Sequence, residues 1–298
     1  MTLSLHLENA NILYATNVPL SSFSTMGVGG NAEYMVFPRT LAEMECIHQL
    51  VKYFEVPFRV LGKGANILVS DQGCKGIVIH TKYLQKIEIF DNYITAECGV
   101  ALGKLLKVAA DYELSGLERL CGITATVGGA VTMNAGAMSF EIENSIDSVF
   151  YLPKKETRFL WIRQHDFAFG YRHSLSLADR GIVGAVKFHF THRPRFAALQ
   201  EMKAIAKTRK NKQPLQYKNA GSIFKRTDHC IPAKIIDELG LKGLRIGDAA
   251  VSTKHSGFII TLGSATFKDV ISLIQMIEFK VKEAYGIELQ REVDIWCD

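Results

Sequence analysis

Glycine places the tightest constraint on this chain between Gly116 and Ala137. There GLERLCGITATVGGAVTMNAGA carries Gly116, Gly122, Gly128, Gly129 and Gly136 among mostly small residues. Glycine loses more conformational freedom on folding than any other residue, so helices and strands disfavour this composition. It belongs where the backbone takes a positive φ or lies against something bulky. Two readings follow. One is a loop of tight turns; the other is a wall of bare backbone N–H groups around a flat or phosphorylated cofactor. Composition leaves both open.

The rest of the chain sets wider bounds. Its 298 residues leave room for about two domains, and 48% hydrophobic with 22% charged residues is the balance of a soluble protein with a full core. A net charge of +5 suits an anionic small molecule as well as nucleic acid. Without a run of like charges, no nucleic-acid partner is expected. The longest apolar runs, such as 258–262, are too short for a bilayer, so no membrane partner is expected either. Six cysteines lack any C-x-x-C pair and nine histidines form no metal-spaced pair, which argues against a metal site. Scattered thiols without a signal peptide point to a reducing cytoplasm.

Read in order, the first 22 residues carry no periodic signal. A strand at 34–37 precedes a helix that Thr40 and Glu43 open as a capping box, with Leu41, Met44, Ile47, Leu50, Val51 and Phe54 on one face. A strand at 58–61 completes a β-α-β unit with parallel strands. The turn Gly62-Lys63-Gly64-Ala65-Asn66 lacks the third glycine and following helix of a Rossmann fingerprint. It is either a hairpin turn or a phosphate cradle. Further strands are expected at 67–69 and 76–80. A hairpin follows at 86–90 and 93–98 about Asp91-Asn92, then a helix at 101–112 and strands at 146–152, 157–163 and 182–190. FAFGYR, ending at Arg172, reads as a turn. Composition shifts near residue 192, and 195–212 reads as a helix with a basic end. Ala220-Gly221-Ser222 reads as a turn entering a strand. Helices at 233–239 and 267–285, with strands at 249–251, 258–262 and 291–296, complete an α+β chain. Breaks fall near residues 83 and 195.

Three polar groups stand out. Arg172 is a fixed cation able to hold a carboxylate bidentately, Ser222 follows a glycine, and Glu292 precedes an apolar strand. Singly, each is also explained as a salt bridge, a turn residue or a solvated carboxylate. No G-x-S-x-G elbow supports a serine hydrolase.

Seven blocks carry a more specific message: TMGVGGNAEYMVFP, LGKGANILVSDQGCKGIVI, GLERLCGITATVGGAVTMNAGA, FGYR, KQPLQYKNAGSIFK, GLKGLRIGDAAVSTKHSGFIITLGSAT and GIELQREVDIW. In this order, from Ser24 to Trp296, they resemble the UDP-N-acetylenolpyruvoylglucosamine reductase family of peptidoglycan precursor synthesis. The short connection from Arg172 to Ile182 is similar to the family's shorter subtype, which lacks a tyrosine-bearing loop insertion.

The resemblance implies a p-cresol-methylhydroxylase-type FAD-binding fold in two subdomains, 1–82 (joined by 291–298) and 83–195, and a C-terminal α+β substrate-binding domain at 196–290. It implies non-covalent FAD, with Gly62, Lys63, Gly64, Ala65, Asn66, Ile67 and Leu68 at the pyrophosphate. Gly122, Thr126, Val127, Gly128, Gly129, Asn134, Gly136 and Ala137 would follow the rest of the cofactor. NADPH would dock in the substrate cleft and reduce UDP-N-acetylglucosamine enolpyruvate to UDP-N-acetylmuramate by way of FAD. Hydride attack on the vinyl carbon builds an enolate, which Arg172 and Glu292 would stabilise, Glu292 protonated or sharing a proton. Ser222 would then donate a proton to the α-carbon. Lys212 would meet the substrate diphosphate, and Asn219 and Lys225 would also bind substrate. A cytoplasmic monomer is expected. Departures are Thr124 and Ala125, where the family carries proline and glycine, and Ala65, where it carries a serine. Two other readings are another FAD-dependent oxidoreductase of the same fold, and a nucleotide- or RNA-binding module using the basic residues of 207–212.

Overall fold

The computed structural model describes residues 2–227 and 229–297. The chain forms two units, each around its own apolar core. The first takes in the segments up to Ala15, Tyr34–Lys63 and Gly76–Lys207. The second takes in Thr16–Glu33, Gly64–Lys75 and the chain from Thr208 onward.

In the first unit a five-stranded antiparallel sheet runs in the order Leu160–Arg163, Ile146–Leu152, Ile182–His189, Tyr93–Glu97, Ile87–Phe90. The central strand IVGAVKFH is apolar almost throughout because both its faces are covered, whereas the edge strand IEIF leaves alternate residues exposed. Asp91, at φ 51°, makes the tight turn of the hairpin. Helix Leu102–Asp111 turns Leu102, Leu105, Leu106 and Ala109 into this core, and Leu41–Phe54 adds Met44, Ile47 and Val51. Thr40 caps the latter by accepting the Glu43 N–H at 3.1 Å. Glu43 does not complete the expected box. Its carboxylate instead takes the Arg39 N–H at 2.8 Å and the Arg39 side chain at 3.0 Å.

The first residues, silent in sequence, form helix Leu3–Asn9 with Leu3 and Leu7 inward. Strand Tyr14–Pro19 then begins a second sheet ordered Tyr14–Pro19, Asn31–Val36, Cys74–His80, Phe58–Leu61. Three of its strands carry the chain from one unit to the other. The expected β-α-β neighbours are therefore not adjacent. Cys74–His80 lies between them, parallel to Phe58–Leu61, and its buried Ile77, Val78 and Ile79 require the central place.

The glycine-rich stretch also differs from expectation, because Val127–Thr132 is a short helix. Thr126 caps it, accepting the Gly129 N–H at 3.2 Å. The Gly128 N–H bonds Cys98 O at 2.9 Å, and a Cβ on Gly128 would lie 2.8 Å from the Cys98 Cβ. Close packing, not helix propensity, selects glycine there.

The second unit holds an antiparallel sheet ordered Lys218–Ser222, Phe258–Thr261, Ala249–Val251, Arg245–Ile246. Helix Phe267–Tyr285 buries Val270, Leu273, Ile274, Ile277 and Val281. Thr266 and Asp269 form its capping box, Asp71 accepts the Phe267 N–H at 2.9 Å, and Gly286 ends it at φ 68°. Ser222 ends a strand, with a register break after Asn219, and does not sit in a turn leading into one. Asp294–Trp296 pairs in parallel with Ile67–Val69. Among the described residues no helix is long and apolar enough to cross a membrane, and no cluster of His, Cys, Asp and Glu is suited to a metal.

One core residue is out of place. His48 has no solvent exposure, and among the described residues neither ring nitrogen finds a hydrogen-bond partner. Burial, with Lys52 nearby, lowers its pKa against a small opposing pull from Asp179. Burial also lowers His255, and burial with Lys82 and Lys63 lowers His80 to about 4. Each folded pKa lies below the ordinary 6.5, so between the two values the unfolded chain binds more protons. Stability is therefore full above pH 6.5 and lost as pH falls. The urea midpoint should drop between pH 7.5 and pH 5, as a rough choice of endpoints, and His48→Leu should drop less; equal drops would remove His48 from this account. Gly128→Ala should destabilise the protein by about 1–3 kcal/mol through the clash with Cys98, measured in the same titrations.

Candidate active site

The loop from Gly62 to Asn66 passes from the first unit to the second after Lys63. In the first unit a Cβ on Gly62 would lie 2.4 Å from the Thr126 hydroxyl. In the second, Gly64 takes φ +60° and a Cβ there would meet Phe23 O at 2.1 Å. Both positions demand glycine. Among the described residues, no acceptor takes the N–H of Gly62, Lys63, Gly64, Ala65 or Asn66, although Gly64 is buried. Buried main-chain donors are almost always paired, so bare donors in such a loop fit the phosphates of a dinucleotide cofactor. Ile67 and Leu68 are buried where the loop enters its strand.

Along the second glycine stretch, the N–H groups of Gly122, Thr124 and Ala125 likewise meet no acceptor among the described residues. Those of Val127, Gly128 and Gly129 are taken by Val100 O, Cys98 O and the Thr126 hydroxyl. Gly129 is exposed, and a Cβ on it would find only the Thr126 hydroxyl, at 3.4 Å.

Beyond this helix the stretch joins a polar cluster that no sequence pattern announced. Asn134 has no exposure and takes φ 42°. Its Nδ2 lies 2.9 Å from Glu141, 3.1 Å from Glu143 and 3.0 Å from Gly170 O. Two amide hydrogens thus face three acceptors. Burial, then the hydrogen bond and charge of Glu143, raises the Glu141 pKa, opposed by Arg172 and Asn134. Gly170 and His173 exchange N–H···O bonds of 3.1 and 3.0 Å, closing the turn that carries Arg172 at φ 53°. The Arg172 side chain is 17% exposed, donates to Gly136 O at 3.3 Å and lies 4.0 Å from Glu141. Glycine at 136 leaves room for it, since a Cβ would stand 3.1 Å from Nη1. Ala137 pairs with Phe140 in the adjoining short ladder.

Ser222 and Glu292 belong to the second unit, Arg172 to the first. The Glu292 N–H bonds Ile223 O at 2.7 Å, which brings the serine and the carboxylate onto paired segments. Phe224 bridges Arg291, and the Lys225 N–H bonds Gln290 O at 2.7 Å. Arg291 grips Glu278 with two bonds of 2.6 and 2.7 Å. The Asn219 side chain is engaged in its own loop, accepting the Gly221 N–H at 3.0 Å and donating to Tyr217 O at 2.8 Å. Lys212 is exposed at the end of helix Arg195–Lys212, and Lys225 is half-buried.

Thr25 was not singled out in sequence. Its N–H bonds Gly64 O at 3.0 Å, its hydroxyl donates to Asn219 O at 2.7 Å, and its carbonyl accepts the Asn219 N–H at 3.1 Å. It ties the glycine loop to the strand of Ser222. Only its place beside the Gly27-Val28-Gly29-Gly30 run hinted at a role. Each unit thus offers a different chemistry. The first presents a half-buried guanidinium suited to an anion, and in the second the segments that carry Ser222 and Glu292 are paired.

Comparison with known proteins agrees with these features. Residues 32–152 match the FAD binding domain model, and 213–296 match the UDP-N-acetylenolpyruvoylglucosamine reductase, C-terminal domain model. The UDP-N-acetylenolpyruvoylglucosamine reductase of Thermotoga sp. (strain RQ2) is 39% identical, over 93% of this chain and 91% of that one. That of Streptococcus pneumoniae (strain Hungary19A-6) is 41% identical, over 93% and 92%. The crystal structure of the Thermus caldophilus reductase superposes with a TM-score of 0.81 at 36% identity, covering 96% of this chain and 99% of that one. A BBE-like protein of Physcomitrella patens, with a TM-score of 0.50 and 15% identity over 64% of this chain and 45% of that one, shares the fold alone. The α+β chain, with an FAD-binding domain of p-cresol-methylhydroxylase type and its own C-terminal domain, belongs to the UDP-N-acetylenolpyruvoylglucosamine reductase family.

Proposed function

We propose that this chain reduces UDP-N-acetylglucosamine enolpyruvate to UDP-N-acetylmuramate with FAD and NADPH, a step in making peptidoglycan precursors. The observation that carries the reading is the pairing of the Ser222 and Glu292 segments through Ile223 O in a chain of this family. FAD, when bound, carries a hydride from NADPH to the enolpyruvyl group. The bare N–H groups of Gly62 to Asn66 hold its pyrophosphate, with Gly122 to Ala137 along the rest of it.

Hydride addition to the vinyl carbon leaves negative charge spread towards the substrate carboxylate. The Arg172 guanidinium, always protonated, is the fixed counter-charge. Its turn is held by Asn134 and the Gly170–His173 bonds, so little reorganisation is needed when charge develops. Ser222 gives its hydroxyl proton to the α-carbon, which balances the hydride gained by the neighbouring carbon. Glu292, protonated or sharing a proton, supports the enolate. Lys212 meets the diphosphate, and Asn219 and Lys225 fix the sugar nucleotide.

The domains are read as 1–82, 83–195 and 196–290, with 291–298 returning to the first of these. The ladder between Asp294–Trp296 and Ile67–Val69 supports that return. The protein acts as a cytoplasmic monomer. Another flavin oxidoreductase of the same fold would be reduced by NADPH but not reoxidised by the enolpyruvyl nucleotide, and an RNA-binding module would purify colourless.

Ser222→Ala should leave anaerobic flavin reduction by NADPH unchanged and slow reoxidation by the nucleotide by about 100- to 10,000-fold in stopped flow. Equal slowing of both half-reactions would end the proton-donor assignment. Gly129→Ala should purify with less flavin while its apoprotein is more stable by about 0.5–1 kcal/mol, because alanine suits a helix and its Cβ would make only an ordinary contact with the Thr126 hydroxyl. Full flavin content would move the cofactor away from this helix.

A further inference from the structure

Asn66 sits in the glycine loop, yet its side chain is turned to a different task. Its Nδ2 donates to the carbonyl of Glu292 at 3.0 Å, and its own carbonyl accepts the Asp294 N–H at 2.9 Å. These two bonds bracket Val293, which is 4% exposed in the core of the second unit. On the other side of the same residue, the Glu292 N–H is held by Ile223 O, next to Ser222. Both polar groups of the Glu292 main chain are therefore engaged. The residue before it is fixed as well, through the Arg291–Glu278 pair.

We infer that Asn66 is a positioning residue for Glu292, fixing the main chain from which that carboxyl reaches and so its register with Ser222. The inference rests on the reading above, in which Glu292 and Ser222 face the substrate. A short side chain with an N–H donor is what the position asks for. An ionised aspartate has the same shape but sets a lone pair against the Glu292 carbonyl. Alanine removes the bond and leaves that carbonyl without its partner. Reacting groups tolerate little displacement, and a shift of about 1 Å can cost about 100-fold in rate.

The test uses the holoenzyme with Asn66→Ala and the nearly isosteric Asn66→Asp. Both substitutions keep the Asn66 main-chain N–H, the group assigned to the pyrophosphate, and reoxidation is read relative to NADPH reduction of the same variant. Reoxidation by the enolpyruvyl nucleotide should slow by about 10- to 100-fold. Asn66→Asp should recover as pH is lowered through the titration of the new carboxyl, because the neutral acid donates where the carboxylate cannot, whereas Asn66→Ala should not recover. Hydrogen exchange at the Glu292 amide should speed up in Asn66→Ala. Lost flavin, equal slowing of both half-reactions or unchanged reoxidation would each overturn the assignment. A wild-type enzyme that the nucleotide does not reoxidise would sink the functional reading instead, and the Glu292 amide exchange would still judge the clamp.

Discussion

A ladder of three residue pairs joins segments far apart in the sequence, and the arrangement of the Ser222 and Glu292 segments depends on it. Pairing Asp294–Trp296 with Ile67–Val69 closes a very long loop, which is entropically unfavourable. Burial offsets that cost. Leu68 and Val69 have no exposure, Trp296 has 3%, and all lie where the strands meet. Because the ladder is parallel and begins at Ile67, next to Asn66, it sets Glu292 beside the glycine loop. Ile223 then brings Ser222 alongside. The Glu292 and Ser222 segments and the glycine loop are thus arranged by main-chain bonds, which hold position better than flexible side chains can.

Much of the fold was legible because its signals are local. The apolar spacing of Phe267–Tyr285, its Thr266 and Asp269 cap, and the Asp91-Asn92 hairpin all lie within a few residues of what they control. Features that depend on distant partners were not legible. Helix Leu3–Asn9 offers only two inward leucines, too few to show a period. The insertion of Cys74–His80 between two strands of an expected unit follows from the sheet as a whole. The Val127–Thr132 helix runs against glycine's propensity because Cys98 leaves no room for a side chain at Gly128.

The site was legible in a different manner. Motif wording named Ser222, Glu292 and Arg172, but nothing in the wording said that the first two lie on paired segments. Asn134, Glu141, Glu143 and Gly170 come from three stretches with no shared spacing, so only coordinates join them into the support of the Arg172 turn. Thr25 was hidden for the same reason, since its partners stand at 64 and 219. Asn66 was visible as a residue yet assigned by its loop to the cofactor, while its side-chain amide serves Glu292.

The C-terminal ladder also bears on how the protein is born. A ribosome releases the first unit's core residues, the last of them Phe190 among the fully buried, well before it reaches Val293. The second core includes Met26, Val28 and Leu68 but also needs Val293. Those early residues must wait, exposed, until Val293 has been made. During that interval the glycine loop has neither its strand partner nor the carbonyl that Asn66 will hold. The nascent chain therefore completes the core around Arg172 first, and the Ser222 and Glu292 segments pair only once residue 292 has been made.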